Sequence, residues 1–331
     1  MGSVKMALIS NNKNVLTLES IGEVKTPERD WIKGEGKKMA LVAKSMRELL
    51  GELKIRQRQA VTCIPEDEVI SRLISLPPLK ESEIRDALKF EAETFVPFPL
   101  DQVTIDYEIV EQDEAGRLSV FVIVSRNEVI NTYVKLFKMA GVELVALESP
   151  ALALRRVIGL MVTPETAVMV VDMGDKFSDI ISLMKGNIYF TRAMSVGGES
   201  LTRAISINLG LDMASAEEYK KTYGMKETEL EGKIKNAILP VFTSMAEEIR
   251  RAMVSFKEDN GVAITLLVLS GGGATLPGLA EDLTKILGIE VQVITPFLKV
   301  DISKLANPAI DLKTEGCRFA LAVGLALREV S

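Results

Sequence analysis

The residues best suited to chemistry in this chain are a carboxylate and several glycines placed where apolar runs end. Val170-Val171 leads into Asp172-Met173-Gly174, and Ser178-Asp179 follows before a second apolar run begins at Ile180. An acid at a strand end beside tightly turned backbone can hold a hydrated Mg²⁺ ion while neighbouring amides meet phosphate oxygens. Asp172 is therefore the candidate metal ligand, acting through water, with Gly174 and Ser178 beside it. A second cluster, Gly271-Gly272-Gly273, closes the run Leu266 to Leu269. Glycines there allow close approach of a nucleotide to the carboxyl end of a strand. Gly197 and Gly198 precede a helical pattern and form a third such turn. None of these is a P-loop, because Gly-x-x-x-x-Gly-Lys-Ser/Thr does not occur.

The chain has 331 residues and no histidine. The commonest general base and metal ligand is thus missing, and Ser-His and Cys-His schemes with it. Carboxylates, lysines, hydroxyls, backbone and a hard metal ion remain, which leaves metal-assisted phosphoryl chemistry open. No residue stands out as a catalytic base for water attack, which favours a slow nucleotide switch over an efficient enzyme. A net charge of −6 argues against a nucleic-acid partner. Cys63 and Cys317 are far apart in sequence and are expected to be reduced core residues. Without a membrane span or signal peptide, the reading is cytoplasmic.

Patterning supplies the elements that position these residues. Val4 to Ile9 and Val15 to Ile21 read as a hairpin, followed by a charged connection from Pro27 to Lys38 and a helix with Met39, Val42, Ala43, Met46 and Leu49 on one face. Ala60 to Ile64 and Ile70 to Leu76 are strands. Lys80 to Phe95 is a helix stopped at Pro97-Phe98-Pro99, a corner read as a packed helix stop. Strands Val103 to Val110 and Leu118 to Ser125, helix Glu128 to Ala140 and strand Val142 to Leu147 complete an αββαβ unit of about seventy residues, a normal size for a small domain. After the helix Pro150 to Leu160, the strands around Asp172 open a second half. Helices from Ser200, Ala214 and Ile234 follow, then strand Val262 to Ser270, helix Leu279 to Leu287, strand Val291 to Ile294 and a helix Cys317 to Glu329. The hairpin at Val4 has an echo at Val168.

Two halves that each open on a hairpin resemble the actin/Hsp70-like superfamily of two-lobed ATPases, an α/β fold. Asp172-Met173-Gly174 is similar to its second phosphate motif, Leu269 to Ala274 to its adenosine motif, and Phe319 to Leu327 to its second connecting helix. Glu217 and Lys220 stand where chaperone-type members hold ribose and adenine. Within the superfamily, Phe90 to Asp101 (FEAETFVPFPLD), Ala216 to Gly224 and Val196-Gly197-Gly198 resemble the PilM family of type IV pilus assembly.

That resemblance implies an FtsA-like layout: domain 1A at 1–73, 148–165 and 315–331, an αββαβ-type 1C insertion at 74–147, domain 2A at 166–210 and 262–314, and 2B at 211–261. It implies ATP/ADP and Mg as cofactors. It also implies capture of the cytoplasmic N-terminal tail of the membrane protein PilN between 1A and 1C, and thereby a peripheral place at the inner membrane. Pilus motor ATPases, the platform protein and self-association are further implied partners. Rival readings are an FtsA-like cell-division protein and a small-molecule kinase of the same fold. The sequence departs from the superfamily at its start. A first Asp-x-Gly-Ser/Thr motif should precede Val4, yet only Met1-Gly2-Ser3 stands there. The first strand and its aspartate are expected to be missing from this chain, and nucleotide affinity to be low. The chain stops at Arg328-Glu329-Val330-Ser331, and the amphipathic membrane helix of FtsA is not expected.

Overall fold

The computed structural model describes residues 2–27, 31–33, 36–305 and 310–328. Parts of the Pro27 to Lys38 connection, and the last residue of the helix expected to reach Glu329, lie outside them.

The chain opens on a hairpin, β1 (Ser3–Asn12) against β2 (Val15–Lys25), antiparallel from Ser3↔Lys25 to Asn12↔Val15. Lys13 and Asn14 close it with φ of 54° and 66°, the left-handed two-residue turn that matches strand twist. Next come α1 (Gly36–Glu52), β3 (Gln59–Cys63), β4 (Val69–Leu76), α2 (Glu81–Ala92), β5 (Val103–Gln112), β6 (Leu118–Arg126), α3 (Asn127–Ala140), β7 (Glu143–Glu148) and α4 (Pro150–Met161). Ser149 caps α4, its hydroxyl accepting the Ala151 N–H at 3.1 Å with Pro150 at the first helical position.

The second half holds β8 (Val168–Met173), β9 (Ser178–Met184), β10 (Asn187–Met194), α5 (Gly198–Leu209), α6 (Met213–Tyr223), α7 (Lys233–Asn260), β11 (Leu266–Ser270), α8 (Leu279–Leu287), β12 (Glu290–Val293), α9 (Leu312–Glu315) and α10 (Ala320–Ala326). Its sheet runs β10-β9-β8-β11-β12, with β8, β11 and β12 parallel and β9 and β10 antiparallel. The central strands β8 and β11 are apolar and buried up to Asp172 and Ser270 at their carboxyl ends, as expected of strands in the middle of an α/β sheet. The hairpin expected from Val168 is present, β8 pairing antiparallel with β9 from Val168↔Leu183 to Met173↔Ser178, and Lys185 and Gly186 then turn β9 into β10 with φ of 53° and 74°.

Three expectations change. The αββαβ unit does not close on itself. Its sheet is β4-β6-β5, with β4 as the third strand, whereas β7 pairs in parallel with β3. Cross-strand register decides this, since β4 pairs residue by residue with β6 from Val69↔Ser125 to Leu76↔Leu118. Helix α3 also turns its apolar face to α1: Tyr133, Leu136 and Phe137 share a core with Trp31, Met39 and Met46. A separate small core joins α2 to β4, β5 and β6. The boundaries at 74 and 147 accordingly fall inside β4 and β7. Second, the strand expected from Val262 begins at Leu266. Third, the terminal helix starts with a 3-10 turn over Gly316–Phe319 before α10.

Helices α4 and α10 cross closely; a Cβ on Gly324 would lie 2.1 Å from the Ala153 carbonyl oxygen. Glu148, buried at the end of β7, accepts from both Arg156 nitrogens at 2.7 and 2.8 Å and from Arg328 at 2.8 Å, which ties this crossing to the sheet. Cys63 and Cys317 are buried free thiols.

Candidate functional site

Three turns converge at the carboxyl ends of β8 and β11. Asp172, next to last in β8, lies directly opposite Ser270 on β11 and Asp179 on β9. Burial pushes the Asp172 carboxyl up, against the Ser270 hydroxyl and the Lys5 charge, which pull it down. Asp179 is pushed up to about 8, first by burial and then by the negative charges of Asp172, Glu66 and Asp67. A facing pair of partly buried carboxylates holds a proton at neutral pH.

The glycines meet backbone at these turns. A Cβ on Gly197 would lie 2.5 Å from the Asp175 carbonyl oxygen, and one on Gly271 would lie 2.6 Å from that of Met173. A Cβ on Gly273 would strike the Met173 side chain at 2.5 Å. Gly272 alone of the cluster has open space within 4 Å of its Cβ position. Ser178 is buried and its hydroxyl donates to the Val196 carbonyl at 2.7 Å. The amides of Gly174, Gly198 and Gly271 donate to Phe177, Gly174 and Cys317 carbonyls at 3.0, 3.0 and 3.2 Å. These amides were expected to face phosphate; here they stitch the turns to one another and to the strap before α10. The strand starting at Ser3 enters the same place, since a Cβ on Gly2 would sit 3.4 Å from Asp175 Oδ2.

Lys220 and Glu217 join from α6. Lys220 is buried, and its ammonium donates to Gly198 O (2.9 Å), Thr202 Oγ1 (2.8 Å) and Glu217 Oε2 (2.6 Å). Three acceptors use all three of its protons. The structure thus brings the nucleotide-site candidates into one cluster, and the amides of Gly174, Gly198 and Gly271, the Ser178 hydroxyl and the Lys220 ammonium are engaged by the chain itself. Among the described residues no group of three ligand-type side chains is present; Asp172 faces Asp179 and Ser270, so a Mg²⁺ ion here would be held through its own waters and at most two carboxylates.

A second concavity was not anticipated residue by residue. It lies between the start of α1 and the exposed edge of α3, with a volume of about 790 Å³. Ile32, Met39 and Phe98 supply apolar surface; Arg126, Asn131 and Lys135 supply polar groups. The Pro97-Phe98-Pro99 corner does more than stop a helix, because Phe98 stays 39% exposed at this rim. The Arg126 guanidinium lies 5.6 Å from the Phe98 ring centre and pairs with Glu68 at 2.8 Å. Asn127 donates to the Asp101 carbonyl at 3.2 Å, fixing the corner to α3. The sequence signal was present only as polar residues every three to four positions on α3 (Asn127, Asn131, Lys135). That spacing marks an exposed face, not a binding one.

The model of the type IV pilus assembly protein PilM family matches residues 1–330. The chain belongs to that family. The PilM-PilN type IV pilus biogenesis complex is similar over 100% of this chain and 96% of the solved one, with 28% identity and a TM-score of 0.88. The ethanolamine utilization protein EutJ is similar at two levels. The Escherichia coli K12 protein is 30% identical over 112 residues, 34% of this chain and 36% of the relative. The Carboxydothermus hydrogenoformans structure covers 98% of this chain and is itself covered over 89%, with 17% identity and a TM-score of 0.55. The cell division protein FtsA of Borreliella burgdorferi is 25% identical over 189 residues, 49% of this chain. The aligned stretches span only 36% and 43% of the two curated relatives. The two-lobed α/β architecture is the actin-like ATPase fold, in a family member with FtsA-like features. Among the described residues no helix is long and apolar enough to cross a membrane.

Proposed function

We propose that this family member is a scaffold of type IV pilus assembly that grips the cytoplasmic N-terminal tail of PilN in the groove between α1 and α3. The observation that carries the reading is that groove: about 790 Å³, with Ile32, Met39 and Phe98 as apolar lining among polar groups that include Arg126, Asn131 and Lys135. A short extended peptide needs such a surface, with pockets for alternate side chains and polar groups for its main chain. The complex of a PilM with PilN, similar to this chain along its whole length, supports the choice of partner. Membrane attachment would then run through PilN, and motor ATPases, the platform protein and self-association would be later layers of the same assembly.

Fluorescence anisotropy with a labelled PilN tail peptide tests this, with an FtsZ C-terminal tail as comparison. Saturable micromolar binding of the first alone is expected, weakened at least tenfold by Lys135→Glu or Phe98→Ala. Binding of the FtsZ tail alone would move the protein to cell division.

Nucleotide is the second part of the proposal. ATP or ADP would enter beside Gly272, the member of the cluster that faces open space. With the amides of Gly174, Gly198 and Gly271 engaged by carbonyls, affinity should be weak. A thermal shift below about 2 °C with Mg-ATP is expected, since one kcal/mol of ligand stabilisation corresponds to about 2–4 °C in a chain of this size. A shift of 5 °C or more would show that the turns reopen for phosphate.

A further inference from the structure

The first turns of α1 and α3 border the peptide groove, and their last turns border a second concavity of about 610 Å³. The two helices therefore run the same way, and their carboxyl ends meet. Both end in the same backbone motif. The Ile55 and Lys54 N–H groups donate to the Leu50 and Gly51 carbonyls at 3.0 and 3.1 Å, and those of Val142 and Gly141 to Phe137 and Lys138 at 3.0 and 3.1 Å. The left-handed residue is Gly141 after α3, with φ of 74°, but Lys54 after α1, with φ of 54°, where glycine is the usual choice. Four cations line the concavity, Arg47, Lys54, Arg56 and Arg58, and no carboxylate does. Arg47 donates to the Met139 carbonyl, and Arg58 to those of Ile55 and Gln57 at 3.0 Å. Among the described residues none of the four is paired with a carboxylate. A helix end carries about half a negative charge, so the two ends together offset roughly one of the four cations. The surplus is local: residues 36–58 hold seven cations and two carboxylates in a chain of net charge −6.

We propose that this basic end of the α1–α3 pair binds the phosphate headgroups of an anionic lipid surface. Three of the four cations are arginines, whose planar guanidinium matches a phosphate with two parallel hydrogen bonds. Lys54 and Arg56 make no hydrogen bond that their departure toward a headgroup would break. Charge alone would also suit an acidic protein segment; position favours the membrane. α3 has 14 residues, about 20 Å at 1.5 Å per residue, so a tail that leaves the groove for the bilayer keeps the basic end close to the same surface. Each cation that comes within a Debye length, about 8–10 Å, is drawn to an anionic leaflet. Four of them orient a chain already tethered by its partner rather than anchor it by themselves. That orienting role rests on the PilN reading, whereas headgroup binding does not.

The test is co-sedimentation of the full chain at low salt with vesicles of phosphatidylcholine alone and of phosphatidylcholine mixed with phosphatidylglycerol, without any peptide. Binding to the anionic vesicles alone is expected, and its loss as salt is raised. Lys54→Glu combined with Arg56→Glu should weaken it at least twentyfold, from about fivefold for each cation near an anionic surface. An unchanged circular dichroism spectrum and Tm would show that this variant folds, and it should bind the PilN tail peptide as the parent does. Should the tail bind neither protein, the PilN reading fails while the vesicle result stands. No binding to the anionic vesicles, equal binding to both kinds, or equal binding by the double variant would overturn the proposal. So would a glutamate-rich peptide that binds the parent saturably where the vesicles do not, which would assign the surface to an acidic protein partner.

Discussion

The convergent glycines make a sharp test, because the structure separates two reasons for a glycine that are usually confounded. Gly210 ends α5 with φ of 65° and nothing within 4 Å of its Cβ position. Gly197 has an ordinary extended backbone, with φ of −146°, but its Cβ would stand 2.5 Å from the Asp175 carbonyl and 2.7 Å from Lys176 C. Gly271 combines both, with φ of 81° and atoms at 2.6 and 2.8 Å. Gly210→Ala should therefore cost only the left-handed penalty, about 1 kcal/mol. Gly197→Ala should cost about 1–3 kcal/mol, the usual range for forcing a methyl into packed surroundings. Gly271→Ala should approach the sum, about 2–4 kcal/mol. Gly272→Ala, with open space and no positive φ, should leave stability unchanged. Urea titrations followed by far-UV circular dichroism would rank the four variants, with Trp31, the single tryptophan and a buried one, as a second probe. If Gly197→Ala were as silent as Gly272→Ala, or Gly271→Ala no worse than Gly210→Ala, the packing account of the cluster would be wrong. The glycines would then exist for a ligand alone. Conversely, any loss of nucleotide binding in Gly272→Ala at unchanged stability would locate the open side of the cleft.

Three further outcomes follow from buried charge. The Asp179 carboxyl is raised in the folded protein to about 8 from an ordinary 3.8, so the native state binds more protons than the unfolded one in that window. Stability should fall as pH rises from about 4 to about 8, and Asp179→Asn should flatten the profile. The gain at pH 9 should be roughly 2–4 kcal/mol, below the ceiling of ~1.36 kcal/mol per unit because Asp172 can share the proton; equal profiles from pH 5 to 9 would refute the coupling. Glu148→Gln should cost about 2–4 kcal/mol in urea, because Arg156 loses a bidentate partner in a buried setting; a neutral result would mean that the α4–α10 crossing holds without it. Lys220→Met should destabilise by about 1–3 kcal/mol, since Gly198 O and Thr202 lose their donor. Faster amide exchange should appear in α5 and α6, and its absence would show that another group replaces the ammonium.

Much of the outline was legible because it depends on local chemistry. The apolar runs before Asp172 and Gly271 could only be buried strands. Lys13-Asn14 and Lys185-Gly186 carry their own turn signals, and Ser149-Pro150 announces the start of α4. The PFP corner and the order of the motifs placed the chain in its family. The total lack of histidine removed whole classes of enzyme before any coordinate was known. What periodicity could not supply was the choice among partners. Both β4 and β7 read as short apolar strands, and only cross-strand register put one beside β6 and the other beside β3. The glycine turns looked like a phosphate cradle, but whether their amides face a ligand or a neighbouring carbonyl depends on loops far apart in sequence meeting in space. Lys220 is a helical lysine like any other until Gly198 and Thr202 arrive to surround it.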